Sequence, residues 1–160
     1  MQILLDTNIL LRLAEPTHKL HETARDSVRK LAQQKHHLLI VPQCLYEFWA
    51  VSTRSVEHNG LGKASSYAHS RIIDYCNMFR LLRDERSIYE EWLELVAKEE
   101  VTGVNSYDTR LVAAMVRHGV GQLLTFNAKD FKRYSAIGIL DPVLVASGET
   151  SLDLPDLNQK

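Results

Sequence analysis

Short apolar segments that alternate with helical stretches limit the possible folds of this chain more than any other feature. Five segments are predicted to be strands: Ile3–Leu5, Leu38–Val41, Met78–Leu82, Gln122–Thr125 and Ile137–Leu140. Short apolar strands separated by helices indicate a parallel sheet that is covered on both faces. The sequence therefore predicts an α/β fold with a central parallel sheet of about five strands flanked by helices.

Helices are predicted between these strands from apolar spacing and from end signals. Residues 18–35 space their apolar side chains as an amphipathic helix does. Pro42 suits the first position of the next helix, on which Trp49 is expected to face the core. Ser87 is interpreted as the N-cap of a capping box, and Ser106 as the cap of a later helix.

The length of 160 residues, with 45% hydrophobic and 24% charged residues, is typical of one soluble domain. We expect residues 1–146 to form that domain and residues 147–160 to be a polar, flexible tail. The longest aliphatic run, Leu38–Val41, is far shorter than the roughly 20 residues of a membrane-spanning helix. The N-terminus does not have the pattern of a signal peptide, and Cys44 and Cys76 are far apart. These features predict a cytoplasmic protein without membrane contact.

Acidic and amide side chains follow the predicted strands. Asp6 ends the first strand, Glu47 lies about one turn into the helix after the second, and Asp108 lies early in a later helix. Asn127 and Asp130 follow the fourth strand. In open α/β sheets, sites form at the carboxyl ends of strands, so these side chains are expected to meet there.

A cation would explain why several carboxylates are gathered in apolar surroundings. An unpartnered buried carboxylate is costly, whereas several carboxylates around one ion are stable. Oxygen ligands without a Cys or His cluster favour Mg²⁺ or Mn²⁺. Such a site can activate water for phosphodiester cleavage.

Each acid also has a structural explanation. Asp6 could cap the helix that follows it, and Glu47 could be held by a structural partner. Asp108 could complement its helix dipole, and Asp130 could cap a short turn. The order and placement of the whole set favour the metal site over these separate explanations.

The net charge of −1 argues against a protein that coats nucleic acid, because coating requires many phosphate contacts. A nuclease with a local site remains compatible with this charge. Lys129, Lys132 and Arg133 flank the last predicted site residues and are expected to contact RNA phosphates. A solvated surface is the alternative interpretation of these three residues.

Taken together, these motifs resemble those of the PIN-domain nucleases, and most of all the VapC-like ribonuclease toxins of type II toxin–antitoxin systems. The resemblance covers residues 1 to about 142, in the stretches LLDTNIL, PQCLYEFWAV, YDTRLVAAM and LLTFNAKDF. It implies an α/β/α sandwich with a five-stranded parallel sheet. It also implies hydrolysis of RNA with Mg²⁺ or Mn²⁺, a small cognate antitoxin and a homodimer.

The resemblance assigns roles to individual residues. Three positions match the core acids, with catalytic and metal-binding roles: Asp6, Glu47 and Asp108. The fourth acidic position falls at Asn127 or Asp130, so both are candidate metal ligands and Asp130 is also a candidate catalytic residue. Asn8 and Thr125 match residues that lie behind the ligands.

The expected function is therefore a metal-dependent endoribonuclease that acts as a toxin. A PIN-fold RNA-processing factor and a non-catalytic RNA- or protein-binding module are the alternatives, and the retained acids argue against the module. A haloacid-dehalogenase-like phosphatase also begins with an Asp after its first strand. That class needs a second Asp two residues later, where this chain has Asn8.

Overall fold

A parallel five-stranded sheet forms the centre of the fold. The computed structural model describes residues 1–150. The strands are β1 (Gln2–Leu5), β2 (His37–Ile40), β3 (Arg80–Leu81), β4 (Gln122–Leu124) and β5 (Gly138–Leu140). They lie in the order β3-β2-β1-β4-β5, and every neighbouring pair is parallel. The predicted α/β fold with about five parallel strands is confirmed.

Eight helices flank the sheet within residues 1–150. They are α1 (Thr7–Leu13), α2 (His21–Gln33), α3 (Pro42–Thr53), α4 (Ser65–Met78), α5 (Arg86–Lys98), α6 (Asn105–His118), α7 (Ala128–Phe131) and α8 (Pro142–Ser147). Crossovers between parallel strands are right-handed. The chain moves outward from β1 to β3 and then returns to β4, so α1–α4 and α5–α6 lie on opposite faces.

The order of the strands also determines where a site can form. β1 is central, and Ile3, Leu4 and Leu5 are fully buried between the two helical layers. The chain leaves β1 toward β2 on one side, whereas β4 lies on the other side. Crevices form at the carboxyl ends of strands where the order reverses in this way. Asp6 follows β1 directly, at this reversal.

Two predicted helix caps are wrong. Helix α5 begins at Arg86 with Glu85 as its N-cap, so Ser87 lies inside the helix and forms no capping box. The Ser87 hydroxyl instead accepts a hydrogen bond of 2.5 Å from Arg117 on the neighbouring helix α6. Helix α6 begins one residue before Ser106, whose carbonyl oxygen accepts a hydrogen bond from the indole of Trp92.

The prediction that Trp49 faces the core is also wrong. Its side chain is 38% exposed, whereas the preceding Phe48 is fully buried. Successive residues point about 100° apart around a helix, so Phe48 lies on the buried face of α3 while Trp49 lies at its edge. Phe48 packs edge-on against Tyr75 of α4, with ring centroids 5.3 Å apart.

The predicted tail falls mostly outside the described residues. Ser147 is the last residue of α8, and residues 151–160 lie outside the part of the chain that the structure describes. The division into a domain at 1–146 and a tail at 147–160 stays a prediction. Among residues 1–150, no helix is both long enough and apolar enough to span a bilayer.

Candidate active site

A cleft of about 430 Å³ opens at the carboxyl ends of β1 and β4. Four of the five predicted metal ligands line it: Asp6, Glu47, Asp108 and Asn127. The walls also include Thr7, Asn8 and Tyr107. Residues that are more than 100 positions apart in sequence therefore meet at the edge where the strand order reverses.

Asp6 is held in one orientation by three hydrogen-bond donors. Its Oδ1 accepts a hydrogen bond of 2.7 Å from the Thr7 backbone amide, at the N-terminus of α1. Its Oδ2 accepts bonds of 2.7 Å from the Asn8 amide and 2.6 Å from the Thr125 hydroxyl. Asp6 therefore does cap α1, as the structural explanation expected, and it also lines the cleft.

The charge of Asp6 is poorly compensated. The pKa of Asp6 is raised from 3.8 to about 6, mainly by burial and to a smaller extent by the nearby Glu47 and Asp108 carboxylates. The hydrogen bonds from Thr125 and Thr7 act in the opposite direction. Among residues 1–150, no Lys or Arg forms an ion pair with Asp6. Three carboxylates and one basic side chain, Arg54, line the cleft, so acidic groups outnumber basic ones there.

This raised pKa predicts the pH dependence of stability in metal-free protein. The folded state keeps the Asp6 proton up to about pH 6, whereas the unfolded chain loses it near pH 3.8. The contribution of Asp6 to stability is therefore lost as the pH rises from about 4 to about 6. A shift of about two pKa units corresponds to about 3 kcal/mol.

Urea unfolding of the wild type and Asp6→Asn in EDTA would measure this contribution across the pH range. The Asn variant cannot titrate at this position, so the stability of the wild type relative to the variant should fall between pH 4 and pH 6. The prediction would be contradicted if the free energy of unfolding of the wild type, relative to that of Asp6→Asn, stayed constant or rose over this pH range.

Glu47 is held by two residues that sequence reasoning missed. Its Oε2 accepts a hydrogen bond of 2.7 Å from the Thr7 hydroxyl, and its Oε1 accepts one of 2.9 Å from the Gln43 amide. The same Gln43 amide donates to the Tyr107 carbonyl oxygen at 2.9 Å. Gln43 lies four residues before Glu47 on α3, a spacing that places both on one face and could have signalled the pair.

Asp108 lies in the first turn of α6, where the helix dipole favours a negative charge. Burial nevertheless raises its pKa, the charges of Asp130 and Glu47 raise it further, and Arg133 lowers it. Asp130 is exposed on α7, and Asn127 is exposed at the start of that helix. The structure thus places Asn127 in the wall of the cleft and Asp130 near Asp108.

The three predicted RNA-binding residues are exposed around α7. They are Lys129, Lys132 and Arg133. Of these, Arg133 is near enough to influence the charge of Asp108. Their contact with RNA stays a prediction.

Comparison with known proteins identifies the family. A family model for the PIN domain matches residues 3–137. The chain belongs to the PIN domain family. No curated protein matches the sequence.

Several solved structures share the fold of this PIN domain. The VapBC2 complex of Rickettsia felis, bound to a promoter DNA fragment, has a TM-score of 0.68 and 17% identity, covering 88% of this chain and 98% of that chain. VapBC-1 of nontypeable Haemophilus influenzae has a TM-score of 0.65 and 16% identity, covering 89% and 98%. Mycobacterium tuberculosis VapC20, described as a toxin that cleaves the sarcin–ricin loop, has a TM-score of 0.57 and 17% identity, covering 76% and 86%. At these identities the similarity establishes the fold.

The donor set of this PIN domain fits a hydrated divalent cation. Among residues 1–150, no three His, Cys, Asp or Glu side chains converge closely enough to enclose a metal ion. Mg²⁺ does not require such a cage, because it retains several waters and is bound through one or two carboxylates. Burial, and to a smaller extent the neighbouring carboxylates, raises the pKa values of Asp6 and Asp108, and a bound cation would offset both effects.

Proposed function

We propose that this PIN domain is a metal-dependent endoribonuclease and the toxin of a type II toxin–antitoxin pair. The observation that carries the proposal is the cleft at the carboxyl ends of β1 and β4. Asp6, Glu47 and Asp108 line this one cleft, and Asp6 has no ion-pair partner among residues 1–150. A bound Mg²⁺ or Mn²⁺ ion would neutralise the charge of these carboxylates and activate water for phosphodiester hydrolysis.

In this proposal the residues of the cleft have different roles. Asp6 and Asp108 hold the cation, and Asn127 or Asp130 supplies a further oxygen. The hydrogen bonds from Asn8 and Thr125 fix the orientation of the Asp6 carboxylate. Such fixed orientation lowers the reorganisation needed when charge develops in the transition state.

Glu47 is proposed to orient or deprotonate the attacking water. Its two oxygens are fixed by Thr7 and Gln43, and each oxygen keeps lone-pair capacity for one more donor. A half-buried carboxylate that faces the cleft can accept a proton from water while the phosphate is attacked in line.

The solved structures of similar fold support the biological role. Two of them are VapBC complexes, and another is a toxin–antitoxin complex from Klebsiella pneumoniae. By this similarity we propose a small cognate antitoxin and a homodimer as partners. An arginine of the antitoxin that reached the cleft would be able to form paired hydrogen bonds with these carboxylates.

Removal of the metal tests the catalytic part of this proposal. Wild-type protein incubated with RNA should cleave it in Mg²⁺ or Mn²⁺, and EDTA should reduce the rate at least about 100-fold because the cation carries the electrostatic stabilisation. The loss of full-length RNA with time on a denaturing gel measures the rate, and excess Mg²⁺ added after EDTA should restore it. Cleavage that is equally fast in EDTA would contradict metal dependence.

Expression tests the toxin role separately. We expect growth arrest when the protein is expressed alone, and relief when a small protein encoded directly beside its gene is expressed with it. Harmless expression of an active nuclease would favour an RNA-processing role instead.

A further inference from the structure

A second, smaller cleft lies beside the candidate active site and is lined largely by aromatic side chains. This aromatic cleft has a volume of about 190 Å³. Its lining residues are Tyr89, Trp92, Ser106, Tyr107 and Arg110. Tyr107 also lines the catalytic cleft and is followed by Asp108, so the two clefts share a wall.

The walls of the aromatic cleft are fixed by hydrogen bonds. The Trp92 indole donates to the Ser106 carbonyl oxygen at 2.8 Å, which ties α5 to the start of α6. The Tyr107 carbonyl oxygen accepts the bond from Gln43. Arg110 donates to the Gln43 side-chain oxygen at 3.1 Å and pairs with Asp84 at 2.8 Å. These bonds therefore hold the Trp92 and Arg110 side chains and the Tyr107 backbone in place.

Two of the lining rings remain open to solvent. Tyr107 is 63% exposed and Tyr89 is 58% exposed. Tyr89 lies 6.0 Å from Trp92 between ring centroids, with the two planes inclined by 33°. Arg110 adds a planar guanidinium whose charge is already paired with Asp84. Exposed aromatic and guanidinium planes are the surfaces on which proteins stack unpaired bases.

We propose that the aromatic cleft binds one unpaired nucleobase of the RNA, next to the phosphate that is cleaved. This inference rests on the proposed nuclease function. Pockets for drug-sized ligands measure about 300–1,000 Å³, so a cleft of 190 Å³ suits a single ring system. Because Tyr107 separates the two clefts, a base stacked on it lies close to a phosphate held at Asp108.

The affinity of single-stranded RNA for the Asp6→Asn protein tests this proposal without cleavage. Fluorescence anisotropy with a labelled oligonucleotide should show a 5- to 100-fold weaker affinity, roughly, when Tyr107→Ala or Tyr89→Ala is added. Tyr107→Phe keeps the ring and should bind as the parent does. Tyr46→Ala is the matched control, because Tyr46 is 65% exposed but lies on α3, where it lines a separate hollow.

Abasic substitutions at successive positions of the oligonucleotide provide a second readout. One position should weaken binding to the parent protein, and that loss should disappear in the Tyr107→Ala protein because the stacking partner is already absent. If RNA binds and both alanine variants bind equally tightly, the base site is refuted while the nuclease proposal stands. If the protein neither binds nor cleaves RNA, both proposals fail.

Discussion

Asp6→Asn is expected to reduce the rate of RNA cleavage by about 1000-fold, which corresponds to about 4 kcal/mol of transition-state stabilisation. Asp6 is the most buried of the predicted metal ligands, and it is oriented by Thr7, Asn8 and Thr125. Replacing the carboxylate by an amide removes the negative charge that attracts the cation while preserving the size of the side chain. Single-turnover cleavage at saturating Mg²⁺ measures the effect.

The fold should survive this change. Asn is a good N-cap, so the start of α1 keeps its hydrogen bond to the side chain at position 6. Asp74→Asn is the matched control, because it makes the same chemical change at an exposed carboxylate of α4 that pairs with Arg71. It should cleave RNA at the wild-type rate. A folded Asp6→Asn protein with more than about a tenth of wild-type activity would refute the role of Asp6.

Phe48→Ala is expected to lower the free energy of unfolding by about 3–5 kcal/mol. The ring is fully buried, and its edge packs against Tyr75, so its removal leaves a cavity between α3 and α4. Most small domains have only about 5–15 kcal/mol of stability, so the loss is a large part of the total. The midpoint of urea unfolding measures it.

Trp49→Ala is the control for this prediction, because it truncates a larger ring on the same helix at the next position. Because Trp49 is 38% exposed, its truncation removes less apolar surface from the core than truncation of Phe48 does. We expect the free energy of unfolding to fall by about 1 kcal/mol. If both variants lost the same amount of unfolding free energy, the packing described for α3 would be contradicted. Phe48→Ala should also lower cleavage activity, because α3 carries Glu47.

Sequence alone could predict the sheet because each strand is a short apolar segment flanked by helical signals. It also predicted that Asp6, Glu47 and Asp108 would meet, since the carboxyl ends of parallel strands share one edge. The strand order was not predicted, because it depends on which crossovers run on which face. That order explains why Asp6, which follows the central strand, is buried among other acids.

Local detail was harder to predict for a physical reason. Phe48 and Trp49 are adjacent and both apolar, and only packing against α4 decides which ring is buried. Ser87 has a capping sequence, but Arg117 from another helix engages its hydroxyl. The hydrogen bond from Thr7 to Glu47 joins residues 40 positions apart, so no local pattern reveals it.

The Gln43 side chain also constrains how this protein can evolve. A single amide contacts Glu47, the Tyr107 main chain and Arg110 at once. Mutations that shift the Tyr107 backbone also disturb the partner of Glu47. With the proposed base-binding role of positions 89 and 107, we expect changes of RNA preference to arise by side-chain replacement there, with the backbone and Gln43 left in place.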